Sequence, residues 1–431
     1  VNRAIEEGVD IIGLSGLITP SLEEMVKVAT EMQERNLNIP LLIGGATTSK
    51  VHTAVKITPN YEGPVIYVPD ASRAVTVAEK MLGGDSKAYH DTVLEEYERI
   101  RAHHELHNAT KRMVPIEMAR KNKLMLDFSK DNIVKPTQLG IFDGKIDVET
   151  LIPYIDWSPF FRSWDLHGKY PEILTDSVVG VEATKLLDDA RMCLSDGIKN
   201  GWFHPTYVYG IFNANAVGDD IEIYDETKQQ VLHRSIGLRQ QIEKTSGQFN
   251  LCLSDYIAPK ESGIEDYIGC FAVTSGDVTK ICRQFETAHD DYTSIMIKAV
   301  ADRLAEALAE WLHERVRHTH WGYDKTPLKN EDLIAEKYIG IRPAPGYPAC
   351  PDHYEKLGIF NVLKATERIG VSLTESLAMH PASSVSGWYF AHPSAKYFGI
   401  TAILEDQFLS VCERRNVNKD EHISWFPFMK K

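Results

Sequence analysis

The first eighty residues alternate between short continuous apolar runs and longer stretches whose apolar positions recur every three or four residues. The runs at 9–15 (VDIIGLS), 39–45 (IPLLIGG) and 65–68 (VIYV) do not alternate in polarity, as expected of parallel strands buried on both faces. Between them, residues 21–35 place Met25, Val28 and Met32 at helical spacing, with Ser21 as the cap and Glu24 in the capping-box position. Residues 49–57 and 71–82 read as two more helices. This alternation predicts a doubly wound α/β domain, in which ligands bind beyond the carboxyl ends of the strands. Residues 2–8 read as the tail of a helix running straight into the first strand, so the chain is expected to begin inside a domain of a longer protein.

From 83 to 148 the pattern loosens into a charged helix and then turn-rich sequence, which predicts an interdomain linker. His103, His104 and His107 lie there, but with no third ligand signalled they read as a solvated face. The basic cluster Lys111, Arg112, Arg120, Lys121 and Lys123 also reads first as a solvated face, and second as a contact for an acidic neighbour. After about residue 149, helices at 179–196 and 292–316 mix with strands at 207–212, 221–224, 267–273 and 386–390 without strict alternation. That mixture predicts an α+β domain reaching residue 431.

A chain of 431 residues has room for these two domains, and a net charge of −14 disfavours a phosphate backbone or an anionic membrane as partner. Neither a signal core nor a long apolar span is present, and the six cysteines form no CxxC pair, so a cytosolic protein with core thiols is expected. His313, His318 and His320 fit no zinc spacing and read as surface imidazoles.

One stretch is unlike the rest. Residues 341–353 (IRPAPGYPACPDH) hold four prolines and one glycine, which predicts a stiff extended loop with free carbonyls. In it Arg342 offers a fork for a carboxylate, Gly346 allows close backbone approach, and Tyr347 offers a face to a cation.

RPAPGYP, followed by TESLAMHPASSVSGWYFAHPSAKYFG at 374–399, resembles the S-adenosylmethionine-binding activation domain of the cobalamin-dependent methionine synthase family. Segments LIPYIDWSPFF, GKYP, VGVEA, GDDIEIY, LRQQ and DYIG extend the likeness from residue 152 onward, and ISWFPFMKK at the end departs from it. LSGLITPSLEEM and LLIGGATTSKVHTAVKI are similar to the cobalamin-binding domain of the same family. The resemblance implies S-adenosylmethionine contacts at Asp156, Glu306, Arg342, Ala344, Gly346, Tyr347, Tyr397 and Phe398. It implies cobalamin contacts at Ser15, Thr19, Gly44, Gly45 and Ala71, with Ser21 ending a proton relay. Taken alone, Glu306 reads as a solvated carboxylate and Asp156 as a turn cap.

The family's cobalt-ligating Asp-x-His-x-x-Gly motif is absent, and Asp165-Leu166-His167 lacks the glycine. The expected role is therefore the C-terminal, reactivating part of a methyltransferase that moves a methyl group from methyltetrahydrofolate to homocysteine through methylcobalamin. In that role S-adenosylmethionine remethylates reduced cobalamin, with no residue of this chain acting as acid or base. A flavodoxin or flavoprotein reductase is the expected electron donor, the upstream modules of the same chain are further partners, and zinc is implied only in an N-terminal part outside this sequence. The alternative is a binding module that holds S-adenosylmethionine and docks a flavoprotein without turnover.

Overall fold

Apolar runs at the start of the chain form a parallel sheet, β1 (Ile12–Ser15), β2 (Leu41–Gly44) and β3 (Val65–Tyr67), in that order. This computed structural model describes every residue except 17–19, 46, 85, 110–111, 130–131 and 431. The chain divides into two units, Val1–Pro115 with Leu404–Lys431, and Ile116–Ile403. In the first, α1 (Asn2–Glu7), α2 (Pro20–Glu34), α3 (Ala71–Leu82) and α4 (Ser86–Ala109) surround the sheet. Successive strand residues feed opposite cores: Leu41, Ile43 and Val65 pack with Met25, Ala29 and Met32, whereas Leu42 and Ile66 pack with Val77, Met81, Val93 and Tyr97. Burial on both faces is why these strands lack alternation.

Within the stretch expected as a linker, Ser86–Ala109, Ile116–Lys121 and Gly140–Lys145 are regular elements. Tyr89, Val93, Tyr97 and Ile100 give α4 one apolar stripe against the sheet despite its many charges, so residues 86–109 belong to the first unit. Downstream, Ile116–Lys121 is a helix and Gly140–Lys145 a strand of the second unit. The Tyr97 hydroxyl, buried, accepts from the Tyr67 N–H at 2.8 Å. Replacing Tyr97 with phenylalanine strands that donor and is expected to cost about 1–3 kcal/mol, read by denaturant unfolding of the chain. The second domain was expected to run to residue 431, but its unit ends at Ile403. Leu404–Lys431 group with the first unit, and within that segment the Phe408 and Phe426 rings lie 5.3 Å apart.

The second unit is built on an antiparallel sheet of β4 (Gly140–Lys145), β5 (Thr206–Val217), β6 (Asp220–Tyr224), β7 (Val231–Ser235), β8 (Asp266–Thr274) and β9 (Ser384–Tyr389). The order is β9-β8-β5-β6-β7, with β4 pairing to the first half of β5 beside β6. Tyr209, Ile211, Phe271 and Val273 face a core shared with α5 (Gly180–Asn200) and α6 (Asp291–Arg315). Val208, Phe212, Cys270 and Ala272 face a second core with α7 (Glu355–Leu363). An antiparallel sheet with helices inserted between its strands is the α+β arrangement expected.

Beside the second core lies a buried ion network. The Arg239 side chain is 1% exposed and donates from Nε to Asp219 at 2.7 Å and from both terminal nitrogens to Asp255 at 2.8 and 2.7 Å. Arg120, from the basic cluster, donates to the other Asp219 oxygen at 2.8 Å. Burial raises the Asp255 carboxyl above its ordinary range, whereas at Asp219 the two guanidiniums outweigh burial and hold the carboxyl low. All six cysteines are free and buried, and no described helix is long and apolar enough to cross a membrane.

Candidate functional site

The proline-rich loop is held by the sheet. Ile341 exchanges both backbone hydrogen bonds with Phe390 at 3.0 Å, and the Trp388 N–H donates to the Pro343 carbonyl at 2.9 Å, so residues 341–343 run as an added strand beside β9. Gly387 permits this approach, since a Cβ there would lie 2.9 Å from the Pro343 oxygen. The Arg342 N–H, facing away from the sheet, donates to the Tyr397 hydroxyl at 3.0 Å. The Ile400 N–H donates to the Pro348 carbonyl at 2.8 Å, which ties the 397–400 segment to the same loop.

Gly346 has a different reason from the one its sequence suggests. Its φ is +98°, and a Cβ would sit 2.3 Å from the His353 ring, so the open side of the glycine is filled from within the chain. His353 Nδ1 is 3.0 Å from Lys356 Nζ, which donates to the Leu377 carbonyl at 2.8 Å. Burial, with the lysine beside it, pushes His353 down to about 4, and burial pushes Lys356 down to about 8. A folded His353 that resists protonation favours the unfolded chain between pH 6.5 and 4. Stability should therefore fall as pH drops through that window, by on the order of 1–2 kcal/mol at pH 5. Thermal melts at pH 7 and pH 5 check this, with a smaller drop expected for His353→Gln.

Against the loop lies a cavity of about 380 Å³ lined by Glu306, Glu336, Arg342, Ala344, Tyr347, Tyr397 and Phe398, with Phe271 and Val385 from the sheet at its floor. Six of the eight residues expected around one ligand, Glu306, Arg342, Ala344, Tyr347, Tyr397 and Phe398, thus share one wall-to-wall space. Gly346 supports the loop from behind. Asp156 does not line the cavity: its Oδ1 accepts from the Ser158 N–H at 2.9 Å, the turn-capping role its position allows. Tyr347 and Tyr397 are 61% and 38% exposed, so both rings are available to cover a ligand.

Arg342 Nη2 donates to Glu310 Oε2 at 2.5 Å, with the two side chains 18% and 11% exposed. Burial alone would favour loss of the proton, but Glu310 more than offsets it, and Arg342 stays cationic well above its ordinary range. His313 was expected at the surface and is fully buried. Its ring stacks 5.1 Å from Tyr389 and meets Tyr338 edge-on at 4.8 Å, while Nε2 lies 3.1 Å from the Tyr323 hydroxyl. Burial, then the Arg342 and Arg317 cations, holds that imidazole neutral.

Glu310 and Glu336 escaped the sequence reading. Glu310 follows Glu306 by four positions on α6, so the same helix face carries both. That spacing was the available signal; Glu336, on a turn with φ +53°, gave none.

In the first unit, Ser15 ends β1 opposite Gly44 on β2, and Ala71 opens α3 after β3. A Cβ on Gly16 would lie 3.4 Å from Ser21 Cβ, so the start of α2 lies against the residue that follows β1. Ser15 is exposed there, which suits a polar ligand tail. Gly45, with φ +105°, is required by the chain itself, because a Cβ would fall 2.3 Å from the Gly16 oxygen. Thr19 lies outside the described residues. Among the described residues no three His, Cys, Asp or Glu side chains gather as a metal site.

Residues 147–416 match the family described as vitamin B12 dependent methionine synthase, activation domain. Among solved structures, the chain is similar to one described as the crystal structure of the MetH reactivation domain bound to AdoHcy. The two are 50% identical with a TM-score of 0.72, and the match covers 74% of this chain and 99% of that one.

Proposed function

Because this chain belongs to the vitamin B12 dependent methionine synthase activation-domain family, we propose that its cavity binds S-adenosylmethionine and presents the methyl group for reductive reactivation of cobalamin. The observation that carries this reading is the grouping of a cationic Arg342, the carboxylates Glu306 and Glu336, and the rings of Tyr347, Tyr397 and Phe398 around one space of about 380 Å³. S-adenosylmethionine has matching parts: a carboxylate, an amino group, ribose hydroxyls, an adenine and a sulfonium. AdoHcy, the ligand of the 50% identical relative, is what remains of that molecule once its methyl has gone.

Arg342 takes the carboxylate with donors not used on Glu310. Glu306 and Glu336 take the amino group and ribose, and the aromatic rings lie against the sulfonium and adenine. Methyl transfer from a sulfonium leaves the bonding pair on sulfur as a neutral thioether, so no side chain has to give or take a proton. Placement is the contribution of the protein. Cobalamin, once reduced, supplies the metal nucleophile that accepts the methyl group.

Ser15, Ser21 and Gly44 at the sheet edge of the first unit are the residues proposed to hold the cobalamin tail. The electron donor is proposed to be a flavodoxin or flavoprotein reductase, and the setting the cytoplasm of a cell whose methionine synthase includes this chain. The six free thiols support that compartment.

Calorimetric titration of the whole chain with S-adenosylmethionine tests the reading, with one saturable site expected and its affinity reduced in Glu306→Gln. Absence of binding, or binding indifferent to Glu306 and Tyr397 together, overturns it. Hydroxocobalamin added to the same chain is expected to show no histidine-ligated visible spectrum, since the Asp-x-His-x-x-Gly motif is missing.

A further inference from the structure

Glu310 touches the proposed ligand site only through another residue. It does not line the cavity, yet its Oε2 is 2.5 Å from Arg342 Nη2, and it is the less exposed member of that pair. Beyond it, His313 on α6 is fully buried between Tyr389 and Tyr338, and Arg317, in the turn that follows α6, is paired with Asp324 at 3.4 Å. Arg342 Nε is buried and has no partner among the described residues. The backbone of Arg342 is fixed as well, by the Tyr397 hydroxyl at 3.0 Å.

We infer that Glu310 is a positioning residue, which clamps one edge of the Arg342 guanidinium so that its other donors are preset for the carboxylate of the ligand; this rests on the reading of the cavity as an S-adenosylmethionine site. Two geometries were open. In one, Glu310 is a rival that the ligand carboxylate must displace. In the other, it is an anchor that stays. A guanidinium carries five N–H donors in a planar fork, so it can serve two carboxylates at once. Stripping Arg342 away would leave Glu310 a buried carboxylate without its cation, a loss that a new pair with the ligand would not recover. The anchor is therefore the favoured arrangement. It also removes, before binding, the rotamer freedom that a long side chain would lose on meeting its ligand.

The test compares two probes, S-adenosylmethionine and its decarboxylated analogue, by calorimetry on the whole chain and on Glu310→Gln. The anchor predicts that Glu310→Gln weakens S-adenosylmethionine roughly tenfold, about one charge-assisted hydrogen bond, and leaves the analogue without a carboxylate unchanged. A purely structural role would weaken both equally, and a rival would make S-adenosylmethionine bind more tightly; either outcome, or no change in either ligand, overturns the inference. If wild-type protein binds neither probe, the reading of the cavity itself fails, which is a different result. Should Glu310→Gln not fold, Glu310→Asp, which keeps the charge but withdraws it by one methylene, gives the same comparison.

Discussion

Arg342→Ala is expected to weaken S-adenosylmethionine binding by roughly fifty- to a hundredfold, about 2–3 kcal/mol. Two losses combine. The charged donors facing the ligand disappear, and Glu310, 11% exposed, is left as an unpaired carboxylate that repels the incoming carboxylate of the ligand. Arg342→Lys keeps the charge without the planar fork and should fall between the two. Calorimetry on wild type and both variants gives the order directly. Equal affinity in wild type and Arg342→Ala would remove the arginine from the site, and the loop would need another explanation for its position.

The second large effect is on stability. Arg239→Met should destabilise the second unit by about 3–5 kcal/mol, because it leaves Asp255 without its partner in the interior while Asp219 keeps only Arg120. For a unit of this size that is a drop in melting temperature of roughly 10 °C. The sign of the compensating change is also fixed: adding Asp255→Leu to Arg239→Met should recover part of the loss, since the uncompensated charge is then gone. A double variant no better than the single one would show that the network matters for geometry rather than charge.

The strands of the first unit and the helices 180–200 and 291–315 were legible because burial imposes a period, or the lack of one, on consecutive residues. β7 was not legible. Its VLHRS is largely exposed, so nothing in its polarity marks it, and its place follows only from pairing with β6. α4 was read as a helix but not as part of a domain, because the stripe of Tyr89, Val93, Tyr97 and Ile100, set among many charges, acquires meaning only against the sheet it covers.

The same limit applies at the site. Glu306 and Arg342 could be named from the segments that carry the family resemblance. Glu310 could not, because on a helix a glutamate four positions from another reads as solvated until the chain brings Arg342 to it from 32 residues away. Gly346 shows the opposite error: the sequence offers its open face to a ligand, and the fold gives that face to His353.

The way the proline loop borrows the sheet has a consequence for solubility. A terminal strand such as β9 leaves a row of unpaired backbone groups that can template a strand from another molecule. Here Trp388 spends its N–H on Pro343, and Phe390 spends both groups on Ile341. On the outer side of the added strand, the N–H of Arg342 is taken by the Tyr397 hydroxyl. Aiming the arginine and blunting the sheet edge are one contact. Substitutions that loosen the loop should therefore appear first as aggregation during expression, before any loss of ligand affinity is measured, and the two properties would be inherited together.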